Sequence, residues 1–139
     1  MKSLPLFVLL ATAGMTVPAR AMIERTVEKS FASTGPGMLR LETTGGALKV
    51  ENGPDGRVTI VAHEKIHANS DAEADALLKH LSLQFDQKGN DVSAVAHYER
   101  DGAFHLFSSP GVQVSFVATV PSAYAATLRT SGGGIVVGD

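Results

Sequence analysis

The chain has no cysteine and no tryptophan, and aromatic residues make up only 6% of its 139 positions. Without thiols there is no disulfide framework, no thiolate nucleophile and no cysteine-bound metal, so stability must come from packing and hydrogen bonding. Basic charge is also sparse, with 12 Lys and Arg against 14 Asp and Glu, a net charge of −2. That balance argues against nucleic acid as a partner, because phosphate recognition needs clustered cations. It disfavours an electrostatic hold on anionic lipid for the same reason. No G-x-S-x-G turn is present, and Gly132-Gly133-Gly134 is not followed by Lys-Ser/Thr or by a helix pattern, so neither an esterase elbow nor a phosphate loop is supported.

One apolar run does occur, at the start. Met1-Lys2 opens the chain with a positive charge, Leu4 to Val17 is mostly apolar, and Pro18-Ala19-Arg20-Ala21 carries the small-x-small pattern of a signal-peptidase site. Residues 1–21 are expected to be a signal peptide cleaved after Ala21, with residues 22–139 forming a single domain. The run is shorter than the ~20 apolar residues a spanning helix needs, and Thr and Gly interrupt it. No later segment is long enough to span a bilayer. Losing Lys2 and Arg20 leaves ten basic side chains against 14 acidic ones, a net −4. An exported protein, periplasmic or at the cell surface, is the expectation.

What fills the remainder is alternation. Leu39-Arg40-Leu41, Leu48-Lys49-Val50 and Val58-Thr59-Ile60 each put two apolar residues on one side of an extended chain. Turn compositions separate them, at Thr43-Thr44-Gly45-Gly46 and Asn52-Gly53-Pro54-Asp55-Gly56. Val112, Val114, Phe116, Ala118 and Val120 form the longest strict alternation, ended by Pro121. Leu83 and Phe85, the turn Lys88-Gly89-Asn90-Asp91, and Val92, Ala94 and Ala96 read as a hairpin. Further turns are expected at Asp101-Gly102 and around Pro110-Gly111.

A repeat organises these segments. Thr43 to Val50 (TTGGALKV) matches Thr130 to Val137 (TSGGGIVV) in its Thr, its paired Gly and its apolar positions, and Thr34 to Leu41 (TGPGMLRL) is a looser third copy. The glycines would allow positive φ at each corner, and the apolar pair that follows would point into a shared core. One helix is expected over about 71–82. Ser70 and Glu73 have capping-box spacing, and Ala74, Leu77, Leu78 and Leu81 fall on one face that should dock on a sheet.

Of the motifs that carry chemistry, His63-Glu64-Lys65-Ile66-His67 spells H-E-x-x-H, which binds zinc when a helix brings both His to one face. Here the residues leading in are β-branched and alternating. Along a strand the two His would stand about 13 Å apart, beyond the reach of one ion whose Zn–N bonds are about 2 Å. Asp71-Ala72-Glu73-Ala74-Asp75 resembles the start of a calcium loop but has Ala76 and Ser82 where such a loop needs Gly and Glu. His80, His97 and His105 are scattered, and Tyr98, Phe104 and Phe107 are read as packing residues. No catalytic, cofactor-binding or metal-binding residue is therefore assigned, and no cofactor is expected.

The same marks resemble a bacterial domain family labelled "putative adhesin", a domain of unknown function with β-helix-like repeats. They are the Thr-Gly-Gly-x-Leu-x-Val segment at 43–50, Val58-Thr59-Ile60, the acidic Ala-rich helix at 71–81, the strand and proline at 112–121 and the segment from Leu128 through Val137. The resemblance spans about residues 31–139. It implies an all-β fold, either a short β-solenoid or a two-sheet stack of short strands, and it brings no catalytic residue. Members of the family continue through further repeats, whereas this chain ends at Asp139. Residues Gly134, Ile135, Val136 and Val137 are thus expected to form a strand with an unpaired edge, either because the product is truncated or because a partner strand completes it.

The expected function is that of a non-catalytic envelope or surface module, adhesin-like or scaffolding, whose partner is an unidentified envelope protein or surface ligand. Two rivals are a zinc-dependent hydrolase using His63, Glu64 and His67, and a regulatory envelope partner that binds through the open strand edge.

Overall fold

Apolar side chains spaced two apart can all be buried only if the backbone is extended, and that period dictates most of the secondary structure. A computed structural model describes residues 22–99 and 111–138. The expected signal peptide at 1–21, the turn at Asp101-Gly102, Phe104, His105, Phe107 and Pro110 lie outside the described residues. In chain order the elements are β1 (Met22–Ala32), β2 (Met38–Thr43), β3 (Leu48–Asn52), β4 (Arg57–His67), α1 (Asp71–Leu78), β5 (Leu81–Lys88), β6 (Asp91–Tyr98), β7 (Val112–Val120), β8 (Ala125–Thr130) and β9 (Ile135–Val137).

These strands make two mixed sheets, ordered β1-β4-β7-β3-β9 and β5-β6-β2-β8. The all-β class with one short helix is what the described residues form. Leu83 and Phe85 of β5 are half-buried, whereas the apolar pairs of β2, β3 and β4 are buried, with Leu39, Leu41, Val58 and Ile60 wholly inaccessible. Together with Phe116, Ala94 and Ala118 they belong to one core lined by both sheets. Phe116 meets Phe85 of the other sheet edge to face, with ring centroids 6.4 Å apart.

The sheets are coupled layer by layer. β2 lies parallel to β6 on one side and to β8 on the other. β3 lies parallel to β7 and to β9 in the same sequence. The molecule is thus built of three stacked layers, β6 with β7, β2 with β3 and β8 with β9, each contributing one strand to each sheet. The register between the last two layers is constant. Thr43 faces Thr130 and Leu48 faces Ile135, the same alignment that the sequence repeat shows. At the far end the direction reverses. β4 and β5 run antiparallel to β7 and β6, α1 joins them, and β1 covers β4 along all eleven residues.

Three expectations need correction. The helix stops at Leu78 rather than continuing to about residue 82. Lys79 is its C-cap, and Leu81 instead begins β5 opposite Tyr98, where pairing with β6 wins over another helical turn. The N-terminal signal is as expected, since the Ser70 side chain accepts from Glu73 N, and the docked face is Ala74 with half-buried Leu77 and Leu78. The third repeat copy, Thr34 to Leu41, is not a corner of the same kind. It leads into β2 from β1 of the other sheet, whereas the other two copies turn out of β2 and β8. Finally, positive φ is present at Gly45 (95°) but at none of Gly132, Gly133 and Gly134.

Candidate functional site

The H-E-x-x-H segment lies in the middle and end of β4, fully extended between β1 and β7. His63, Lys65 and His67 point outward and are exposed, whereas Glu64 points inward and is buried at 6% exposure. Strand geometry puts the two His about 13 Å apart on the outer face, with the carboxylate on the other. The three side chains do not converge. Among the described residues no three His, Asp or Glu gather closely enough to hold a metal ion.

Glu64 has a structural setting instead. It sits opposite Arg25 of β1 and Val114 of β7, and its burial raises the carboxyl pKa above the ordinary 4.5, an effect that the Arg25 charge partly offsets. Arg25 in turn donates to Asp75 of α1 at 2.7 Å and lies 4.0 Å from Asp71. A charge on the inner face of an edge strand is thereby fastened to the helix. This contact joins residues 50 apart and leaves no trace in local sequence.

An open depression of about 480 Å³ lies where the loops after β1, β3 and β7 meet, bordered by Ser33, Asp55 and Pro121. Two of its polar lining residues, Ser33 and Thr34, are engaged in internal hydrogen bonds, Thr34 with Asn90 Oδ1. Ser33 Oγ lies 2.6 Å from the Tyr124 hydroxyl, which donates to Asn90 O at 2.7 Å.

The remaining feature is the end of the stack. Gly134 O accepts from Leu48 N, and Gly138 N donates to Val50 O, so the even-numbered groups of β9 face β3. Backbone groups alternate along a strand, and those of Ile135 and Val137 therefore face away from the sheet. Ala125 N donates to Gly37 O, which by the same alternation turns Ala126 and Leu128 to the open side of β8. Among the described residues these groups of β8 and β9 have no strand partner, so both strands present donors and acceptors on the same side of the stack. Ile135 and Val137 are inner-face residues, aligned with buried Leu48 and Val50, yet they are 47% and 65% exposed, with no strand among the described residues on their far side.

The corners between layers have a repeated chemistry. Thr43 Oγ1 donates to Val114 O of the layer below at 2.6 Å, and Thr130 Oγ1 donates to Gly46 O, again at 2.6 Å. A Cβ on Gly46 would collide with that same Val114 carbonyl, and one on Gly133 with the Gly46 carbonyl. The motif therefore needs threonine as a donor to the carbonyl beneath and glycine where the backbone presses on it. Sequence reading assigned the glycines to turning and missed the threonine, although its presence in both copies was the available signal.

No family model matches the chain, and no curated protein matches it. Among solved structures it is similar to a "putative cell adhesion protein" from Clostridium sporogenes, at 10% identity and TM-score 0.47, covering 81% of this chain and 51% of that one. It is also similar to a "putative adhesin" from Bacteroides fragilis, at 10% identity and TM-score 0.44, covering 83% of this chain and 44% of that one. A "putative adhesin" from Parabacteroides distasonis aligns at 10% identity and TM-score 0.37 over 79% and 37% of the two chains. The chain spans about half, or less, of the length of these proteins.

Proposed function

We propose that this chain is a non-catalytic, exported module of the bacterial cell envelope or surface, adhesin-like in role, that engages a polypeptide partner through the edge formed by β8 and β9. The observation that carries this reading is the state of that edge. Among the described residues, two strands of one layer carry backbone groups with no partner, and the inner-face residues Ile135 and Val137 lie open beside them. Strand addition supplies backbone hydrogen bonds to such an edge and buries its apolar side chains at the same time. The three parallel layers are read as a short β-solenoid whose last layer is the recognition surface. Residues 1–21 supply the export signal in this reading, with maturation at Met22.

The test places a photo-crosslinking residue at Val136, whose side chain faces solvent at the open edge, or at Thr26 on β1 at the opposite edge. Expressed in a bacterium, the first should yield a discrete envelope-protein adduct and the second none. Val137→Pro, which removes an outward N–H, should abolish the adduct. Equal labelling from both edges, or labelling indifferent to Val137→Pro, would overturn the docking role. N-terminal sequencing should find Met22 first in the exported product. Stoichiometric zinc in the purified protein, lost with His63→Ala, would overturn the non-catalytic part.

A further inference from the structure

We infer that the β8/β9 edge is shaped for one class of occupant, a strand–corner–strand segment running parallel to it and carrying Thr-x-x-Gly at the corner. This deepens the docking role proposed above and rests on it. The argument comes from the column of corner carbonyls. Register aligns Val114 with Gly46 and Gly46 with Gly133, one residue per layer. The lower two carbonyls are each capped from above in the same way, by a threonine hydroxyl at 2.6 Å and by a glycine with no room for a Cβ. Gly133 O is the third member of this column and accepts no hydrogen bond from the described residues. The surface it belongs to is the same surface that Gly46 presents to the layer above it.

The surrounding groups fit the same occupant. Leu48 N reaches up to Gly134 O, and Phe116 N reaches Ala47 O, so each layer bonds its neighbour through the corner as well as through the strands. Among the described residues, no further apolar pair covers the inner column of Leu48 and Val50, then Ile135 and Val137. An incoming segment with the pattern apolar-x-apolar-x-Thr-x-x-Gly-x-apolar-x-apolar would supply the donor, the clearance and the apolar pair together. A second copy of this chain meeting edge to edge would pair antiparallel, a geometry that neither internal layer contact has.

The probe is a synthetic peptide copying residues 38–52, which contains one complete corner of this type, added to the purified full chain. Binding is followed by titration, and the edge is followed by hydrogen exchange at Ala126, Leu128, Ile135 and Val137. The peptide should bind and protect all four amides, while Val137→Pro in the protein should remove binding. Thr43→Val in the peptide should weaken binding about tenfold, the worth of one well-formed hydrogen bond, and Gly46→Ala should weaken it at least as much. If the Thr43→Val and Gly46→Ala peptides bind equally well and protect the same amides, the edge is a docking site but the occupant class is wrong. If the four amides are instead protected in the protein alone as its concentration rises, the occupant is a second copy, and the inference fails while edge docking stands. If no peptide binds and the amides exchange freely at every concentration, both readings fall.

Discussion

The two ends of the layered stack solve the same problem in opposite ways. At one end the edge strands are β1 and β5. β1 carries Glu24, Arg25, Glu28 and Lys29, and its inward Arg25 is tied to α1 through Asp75. β5 carries Asp86 and Lys88. Charge on an edge strand, an inward-pointing charge above all, discourages further strand addition. At the other end, β8 and β9 have Arg129 as their one charged side chain, no proline, and Ile135 and Val137 left half open. The difference leaves one end charged and tied to the helix, and the other, among the described residues, apolar and unpaired.

The largest expected contrast lies in the energetics of apolar truncation at the two ends. Ile66 is wholly buried in β4 between Ile23 and Val112. Ile66→Ala should cost about 2–5 kcal/mol, measured by urea unfolding. Ile135→Ala, at the same kind of inner-face position in the open layer, should cost less than about 1 kcal/mol. Equal losses would mean that the β8/β9 layer is as firmly buried in solution as the closed end, and the contrast would vanish.

A second contrast concerns the corners. Gly46→Ala forces a methyl against the Val114 carbonyl inside the stack and should destabilise the protein by about 1–3 kcal/mol. Gly133→Ala meets the Gly46 carbonyl, but only the last layer needs to move. Its effect should appear as faster hydrogen exchange at Val136 and Gly138, with a smaller shift in the urea midpoint. A Gly133→Ala penalty as large as that of Gly46→Ala would show that the terminal layer is integral to the cooperative unit.

The smallest effect is electrostatic and belongs to the closed end. Burial raises the Glu64 pKa above 4.5, so the folded state holds this proton more tightly than the unfolded chain does. The contribution to stability is greatest at low pH and declines as pH rises from 4.5 through the raised folded value. Glu64→Gln removes the buried charge and should raise Tm modestly at pH 7–8, with the difference shrinking as pH falls toward 4. A variant that is less stable at neutral pH would show that the Arg25 attraction outweighs desolvation.

Much of the closed region was legible in the residues. Alternation placed β2, β3, β4, β6 and β7 with their core residues, because a two-residue period has one physical solution in a half-buried strand. The capping box located the start of α1, but its end was overrun, since Leu81 suits a helical face and a strand equally and only its pairing with Tyr98 decides. The open edge was half legible. The repeat of Thr43 to Val50 at Thr130 to Val137 foretold that the two segments are equivalent, but not that they stack directly in register. Among Gly134, Ile135, Val136 and Val137, the direction of each backbone group followed only from the bonds of Gly134 and Gly138 to β3.

By itself the sequence determined which residues are extended, which side of each strand is apolar, and where glycine and threonine recur, because these are properties of adjacent residues. The tertiary structure alone decided which strands are neighbours, and hence that Glu64 is buried beside Arg25 and that, among the described residues, Gly133 is the one carbonyl of the column Val114, Gly46, Gly133 that accepts no hydrogen bond. Whether a strand edge is covered depends on chain segments dozens of residues away, and no local pattern carries that information.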